Sequence, residues 1–353
     1  MKMKDILIVG GYGAVGKTIS KILSQKYPGK IIIAGRSQSK AAKAVQDLQD
    51  NTIRTLVLDI NNVTNFSFLN TTALVIMCID QLNTEFVEAC IKMKVKYIDI
   101  SANDDVLKNI ESLNEIAISN NAGLVLSVGL APGLSNLLVK HAANSLSNPT
   151  EARINVLLGL GEKHGSGAYK WTFDNIHSTY ALQQNNKVVN VKSFTRPFKA
   201  VIDKRRTFYL FNFSDQYALM RTSDIPKIET RLAFDINIIT RLLAFLRKTG
   251  ITSLFNNKKV QNLLLPVFSK ALFGTDKYGL NVEVSNGTQK HICTLEGHEE
   301  GLITAYVAAE TASYILDNIT ANGVKHLHEI VSDIPLFLTK IKAYDESIKI
   351  RLT

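Results

Sequence analysis

From Asp5 to about Val128 the chain alternates short, wholly apolar runs with stretches whose apolar residues recur at helical spacing. The runs are ILIVG (6–10), IIIAG (31–35), TLVLD (55–59), ALVIMC (73–78), KYIDI (96–100) and GLVLSV (123–128). Runs this short and rich in β-branched residues predict strands buried on both faces, as in a parallel sheet covered by helices. The helices are read from Val15, Ile19, Ile22 and Leu23, from Phe86, Val87, Cys90 and Ile91, and from Ile110, Leu113, Ile116 and Ala117. Six strands with crossover helices predict an α/β fold, an N-terminal Rossmann doubly wound parallel sheet with ligands at the strands' carboxyl ends.

Beyond Pro149 the pattern changes. KVVNVKSF (187–194) and TFYLFNF (207–213) alternate, which predicts antiparallel strands with one covered face. Asn286-Gly287, inside GLNVEVSNGTQKHICTLEG, predicts a type I′ hairpin turn. A long helix is expected from about Glu299 to Ile319, before Asn322-Gly323. The expected organisation is a dinucleotide-binding domain over residues 1–130 and an α+β substrate-binding and dimerisation domain over 131–353. The final helix and strand are expected to return to the first domain. Within the second, residues 232–273 are the most apolar part, with LLAFL and LLLPVF. Their cations occur singly, so the segment is read as core helices or a subunit interface rather than a membrane-surface element.

Composition narrows the partners. With 353 residues, 46% of them hydrophobic and 20% charged, the chain can build two globular cores. No apolar stretch reaches membrane-spanning length. The first run, flanked by Lys2 and Lys4, is short and glycine-broken and lacks a cleavage site, so it is not read as a signal peptide. Cys78, Cys90 and Cys293 form no metal spacing, and the expectation is no metal and a reducing, cytoplasmic setting. The net charge of +10 is spread along the chain without a nucleic-acid motif, which favours anionic small molecules over nucleic acid. The expected partners are a small molecule and a second copy in a homodimer, with neither nucleic acid nor membrane.

The candidate chemistry begins at GGYGAVGK (10–17). Glycines recur in turns for conformational reasons alone, but here Gly11-x-Gly13-x-x-Gly16 joins a predicted strand to a predicted helix. Gly11 allows the tight turn, Gly13 lets backbone approach a pyrophosphate, and Gly16 lets the helix pack on the strand. With Tyr12, Ala14 and Val15 they form a dinucleotide cradle at a helix N-terminus, and the segment is not read as a P-loop. The second strand ends in AGRSQSK, with no acid to meet a ribose hydroxyl. Arg36, Ser37 and Lys40 suit the 2′-phosphate of NADP better than NAD, while Ser37 also suits a helix cap. Asp59 and Ile60 are placed beside the adenine by fold analogy. Cys78, Ser101, Gly129 and Pro132, at later strand ends, complete the cofactor set.

The combination of GGYGAVG, AGRS, KYIDIS and SVGLAPGLSN (127–136) resembles the saccharopine dehydrogenase family, including its lysine 6-dehydrogenases. Gly129, Ala131, Pro132, Gly133, Leu134, Ser135 and Asn136 match that family's G-x-A-P-G-L-S-N turn, and AYKWTFDNI (168–176) with NNKVV (185–189) resembles its Y-K segment and following strand. The likeness covers most of residues 5–190, with a vaguer match at TAYVAAETASYIL (304–316). Asn185-Asn186 departs from the family's Asn-Gly, and the segment after Lys170 is shorter, so the particular amino acid stays open.

The resemblance implies an NAD(P)-dependent dehydrogenase acting on the C–N bond of an amino acid or its conjugate, which makes the expected small molecule an amino-acid-like substrate. Such chemistry needs a base and carboxylate anchors. The expected catalytic residues are Lys170, Tyr169 and Asp99. Lys170, if desolvated, serves as base; Tyr169 donates to a carboxylate; Asp99 orients the amine. His164 titrates in the working range, and Arg196, Arg205, Arg206 and Arg221 are candidate carboxylate clamps. The competing readings are a packed helix start with a solvated Lys170, a catalytically silent NADP-binding protein, and a dehydrogenase on C–OH.

Overall fold

The computed structural model describes residues 3–162, 166–184, 187–268, 273–317 and 322–353. The chain forms two compact units, one of Met1–Leu134 with Gly301–Asp333, the other of Ser135–Glu300 with Ile334–Thr353. The strands β1 (Asp5–Val9), β2 (Ile31–Gly35), β3 (Arg54–Val57), β4 (Thr72–Met77), β5 (Lys96–Asp99) and β6 (Gly123–Leu126) come first. They are followed by β7 (Glu151–Leu158), β8 (Thr179–Gln184), β9 (Lys187–Lys192), β10 (Phe198–Ile202), β11 (Lys204–Leu210) and β12 (Ile228–Phe234). The last are β13 (Lys277–Ser285), β14 (Lys290–His298), β15 (Gly323–His326) and β16 (Lys349–Leu352).

The first unit holds a seven-stranded sheet in the order β15-β6-β5-β4-β1-β2-β3. Every pairing in it is parallel. β1 lies between β2 and β4, so the strand order reverses at the carboxyl end of β1, where ligands of doubly wound sheets bind. Ile6, Leu7, Ile8 and Val9 are fully buried, as are Leu74, Val75, Ile76 and Met77 of β4. Burial on both faces is why these runs read as continuous apolar stretches. Helices Ala14–Lys26, Gln38–Leu48 and Glu85–Lys92 make crossovers between them.

The second unit carries a mixed sheet, β10-β11-β12-β7-β13-β14-β16, and the hairpin β8–β9. Only β12 and β7 run parallel in it. The fold class is therefore the one expected, with three corrections of detail. The turn between β13 and β14 spans four residues, with Ser285 opposite Lys290, and of the Asn-Gly pair only Gly287 takes a positive φ, of 91°. Asn286 holds the turn with its side chain, accepting from the N–H groups of Thr288 and Gln289, so this is not a two-residue type I′ turn. The segment that returns to the first unit is Gly301–Asp333, with the helix Glu300–Asp317 leading to β15. The final helix Ile334–Lys342 and β16 stay in the second unit. Ile319, the expected end of the long helix, lies outside the described residues.

The third correction concerns residues 232–273. β12 is buried along its length, but the helix Asn237–Thr249 that follows presents Ile238, Leu242 and Phe245 to solvent. This part of the segment is not core.

Candidate dinucleotide and substrate sites

At the carboxyl end of β1 the backbone turns on Gly10, with φ of 80°. The conformational demand thus falls on Gly10, one residue before the expected Gly11. Gly11 is held by space instead: a Cβ there would stand 2.8 Å from the Ile8 carbonyl. A Cβ on Gly16 would meet the Gly10 carbonyl at 2.6 Å and the Gly11 Cα at 2.7 Å, so the helix rests directly on the turn. Gly13 is the N-cap and offers no side chain to the first N–H groups of the helix. It is exposed, together with Ala14, while Val15 is half-buried. Donors left open at a helix N-terminus, beside backbone without Cβ atoms, fit the pyrophosphate of a dinucleotide. Tyr12 lies over Gly35, where a Cβ would come within 2.3 Å of its ring.

Spacing does not separate this turn from a P-loop, since Gly11–Thr18 also spells G-x-x-x-x-G-K-T. Structure separates them. The helix begins at Ala14, so Lys17 sits within its first turns instead of closing a wrapped loop. Its Nζ reaches Asp47 at 2.7 Å, on the neighbouring helix Gln38–Leu48.

At the end of β2, Arg36 and Lys40 are exposed and Ser37 caps the next helix, its Oγ accepting from the Lys40 N–H at 3.3 Å. Asp59 lies close enough for the Arg36 guanidinium to act on it. Its carboxyl is held below the ordinary range chiefly by the Asn62 amide and the Asn61 N–H, with a smaller contribution from Arg36. Ile60 does not face a ligand: it is 5% exposed and packs in the apolar core with Leu58. Cys78 follows β4, half-buried, and burial pushes its thiol up, out of reach of ordinary ionisation.

Asp99 is fully buried at the end of β5. The Tyr97 hydroxyl and the Gln81 amide donate to its Oδ2 at 2.7 and 3.1 Å, and the Ser101 N–H to its Oδ1 at 2.7 Å. A carboxylate sealed and engaged on both oxygens does not orient a substrate amine, so Asp99 is withdrawn as a catalytic residue. It fixes the β5 end, and with it Ser101, whose Oγ in turn accepts from the Asn103 N–H at 3.2 Å. Burial raises the Asp99 carboxyl to about 6 against the pull of these donors, with Asp80 adding to the rise.

In the second unit Asp215 is likewise fully buried and raised to about 6 by burial, against donors from Thr230, Ser135 and the Gln216 N–H. A folded-state value above the unfolded one means that the folded state binds the extra proton. The resulting stability is complete below about pH 4 and lost as pH rises through 6, on the order of 3 kcal/mol per group. In urea titrations between pH 4 and 6, Asp99→Asn is expected to flatten the fall in unfolding free energy. Equal slopes for the two proteins would mean that Asp99 titrates alike folded and unfolded.

After β6 the chain enters the turn Gly129–Asn136. Gly133 has φ of 136°, and a Cβ on it would stand 3.0 Å from the Ser127 carbonyl, so glycine is required there. The Ala131–Pro132 bond is cis and Pro132 is buried, as is Gly129, whose carbonyl accepts from the Leu134 N–H at 2.8 Å. Ser127 and His326 join at 2.8 Å, and His326 reaches Glu111 at 3.0 Å. This buried chain ties the turn to β15. No sequence signal linked these residues, which are 199 and 215 positions apart. Gln81 and Tyr97 were missed for the same reason, and Gly10 could have been found from the doubled glycine.

In the second unit Lys170 is exposed on the helix Ser166–Ile176, so the desolvation that a lysine base needs is absent. Tyr169 donates to the Glu162 carbonyl at 3.0 Å, and Trp171 packs on Phe211 and Phe213. Of the arginines, Arg206 is buried and bonded to the Asp235 carbonyl at 2.6 Å, which makes it structural. Arg196 pairs with Glu229 at 3.5 Å, and Arg205 and Arg221 are exposed. His164 and Asn185-Asn186 lie outside the described residues.

One solved structure, a saccharopine dehydrogenase, shares the fold. No curated protein matches the chain in sequence. Saccharopine dehydrogenase (L-Glu forming) from Saccharomyces cerevisiae superposes with a TM-score of 0.63 at 13% identity, over 99% of this chain and 100% of that one. A probable dehydrogenase from Thermotoga maritima aligns at 10% identity over 97% of this chain and 96% of that one, with a TM-score of 0.47. An engineered D-amino acid dehydrogenase aligns at 14% identity over 94% of this chain and 95% of that one, also at 0.47. Residues 6–125 match the family described as the saccharopine dehydrogenase NADP binding domain. Over those residues, with the glycine turn at their start, the chain is similar to the NADP-binding domain of saccharopine dehydrogenases.

Proposed function

We propose that the protein is an NADP-dependent oxidoreductase acting on the C–N bond of an amino acid or an amino-acid conjugate. The observation that carries the cofactor is the uncapped helix start at Gly13 in a domain similar to an NADP-binding one. Exposed Gly13 leaves room for the pyrophosphate on the turn that Gly10 and Gly11 make possible, and Arg36, Ser37 and Lys40 would hold the 2′-phosphate. When bound, the nicotinamide supplies hydride acceptance or donation. The chain's own part is to hold the dinucleotide at the switch point of the sheet, and to shape the β5 and β6 ends through Asp99 and the Ser127–His326–Glu111 chain.

The substrate class rests on the likeness to the family and on Tyr169-Lys170 as its matched pair. The exposure of Lys170 favours a role in holding a substrate carboxylate by charge over a role as base. The test is spectrophotometric: the protein with NADP or NAD and a panel of lysine, saccharopine and related amines, followed by nicotinamide absorbance. Turnover of hydroxy acids in place of amines would overturn the C–N assignment.

Cofactor choice is tested at Arg36. NADP is expected to bind more tightly than NAD, and Arg36→Asp to reverse the order in a fluorescence titration. Removing a charge-assisted contact and adding repulsion beside Asp59 is expected to cost about 2–3 kcal/mol of NADP affinity. Tighter binding of NAD to the unmodified protein would sink the preference.

A further inference from the structure

Three successive elements of the second unit share an unusual arrangement: the residues they bury fully are polar, while several of their large apolar residues are exposed. In the helix Asn237–Thr249 the buried residues are Thr240 and Arg247. The Thr240 hydroxyl bonds to the Phe234 N–H at 2.9 Å, and Arg247 donates to the carbonyls of Ser193 and Ser178 at 3.3 and 3.2 Å. On the opposite side, at the spacing of one helical face, Ile238, Leu242 and Phe245 are 76%, 51% and 61% exposed. In the 3-10 turn Ile251–Asn256, Thr252 is buried against His177 while Ile251 and Leu254 are exposed. In the helix Lys258–Phe268, buried Gln261 donates to Asp174 at 2.6 Å while Leu263 is 75% exposed. With Phe273 these make seven of the fifteen large hydrophobics exposed among the described residues.

Charge identifies the occupant. Residues 237–273 contain six cations and no acidic residue. Arg241 and Lys248 are exposed and lie on the flank of the Ile238–Leu242–Phe245 stripe, and Lys258 and Lys259 are exposed at the start of the third element. A second copy of the chain on this face would bring two acid-free, cationic segments together, which repel. An apolar stripe flanked by cations fits the boundary between acyl chains and anionic headgroups. We propose that this face binds the surface of an anionic lipid bilayer, with Leu242 and Phe245 in the apolar layer and Arg241 and Lys248 on the headgroups. The protein lies on the membrane and does not cross it: among the described residues no helix is long and apolar enough to span. Arg241 and Lys248, isolated along the sequence, come together on one flank of the apolar stripe once the helix is formed, while Arg247 points inward.

The test is flotation of the full chain with phosphatidylcholine vesicles, with and without one part in four of phosphatidylserine. Binding is expected to the anionic vesicles and to fall with added salt. Leu242→Glu with Phe245→Glu is expected to weaken it by about tenfold or more, with an unchanged thermal melt because both residues are already in water. Arg241→Glu with Lys248→Glu is expected to weaken it by about fivefold per cation, and this pair keeps the test open should the first variant unfold. Three results would each overturn the proposal: no flotation, equal flotation with neutral vesicles, or conversion of a dimer to a monomer by Leu242→Glu with Phe245→Glu in light scattering. The last would give the face to a second copy.

Discussion

Gly13→Val is expected to lose NADP affinity by a factor of about 100 or more while the protein melts where it did. Both halves follow from the position of this glycine. Its φ of −71° and ψ of 167° are ordinary extended backbone, which valine adopts readily, and the nearest atom to a Cβ would be the Gly10 carbonyl at 3.2 Å. The residue is exposed, so a shift of a few tenths of an ångström at the Gly10 carbonyl is all that a side chain asks of the fold. What has no room is a pyrophosphate, which must come against the N–H groups that a branched side chain would cover. Gly16 provides the contrast, because a side chain there strikes backbone at 2.6 and 2.7 Å and disturbs the helix itself. Calorimetric titration with NADP, beside a thermal melt, separates the two effects. An unchanged affinity in Gly13→Val would make the loop a structural turn.

Lys170→Ala is expected to remove turnover, by about 100-fold or more, and to leave NADP affinity within a few-fold. Lys170 belongs to the second unit, in a segment that resembles the Y-K segment of saccharopine dehydrogenases, whereas the dinucleotide cradle lies wholly in the first unit. Because Lys170 is exposed, Lys170→Arg is expected to keep much of the activity, as a guanidinium holds a carboxylate equally well. A base role demands the opposite, since guanidinium does not give up its proton at working pH. Initial rates of the three proteins under saturating NADP decide between these roles. Full activity in Lys170→Ala would remove the residue from the site. With Asp99 sealed, Tyr169 would then be next to test.

Local pattern was sufficient where burial alone decides the structure. β1, β2, β4, β5 and β6 are largely buried, whereas β3 is an edge strand with Arg54 and Val57 exposed. Each of the five buried strands declares itself as an apolar run, and the glycine turn declares itself by the strand and helix around it. β15 did not: GVKH has four residues, two of them polar, and becomes a strand only by pairing with Gly123–Leu126 far earlier in the chain. The Asp99 cluster was illegible for a related reason. An aspartate at a strand end looks the same whether it faces solvent or is sealed by Gln81 and Tyr97. Periodicity also marks a stripe without saying which side of it meets water. In Asn237–Thr249 the apolar content was visible in LLAFL, but the side that faces out is set by Arg247 and Thr240, whose partners lie on other elements. The P-loop spacing within Gly11–Thr18 adds a case where the motif is ambiguous and only the start of the helix settles it.

The division of the first unit between Met1–Leu134 and Gly301–Asp333 sets an order of events during synthesis. When Leu134 leaves the ribosome, β6 is the last strand available, and its outer edge has no neighbour. The partner arrives only after roughly 200 further residues, which takes about 10–40 s at ordinary translation rates. For that interval the nascent chain shows an open row of backbone donors and acceptors on Gly123–Leu126, the kind of edge on which unfinished chains pair with one another. His326 closes this interval twice, by bringing β15 to the edge and by engaging Ser127 at the root of the Gly129–Asn136 turn. The dinucleotide domain thus reaches its finished form only after the whole second sheet except β16 has been made.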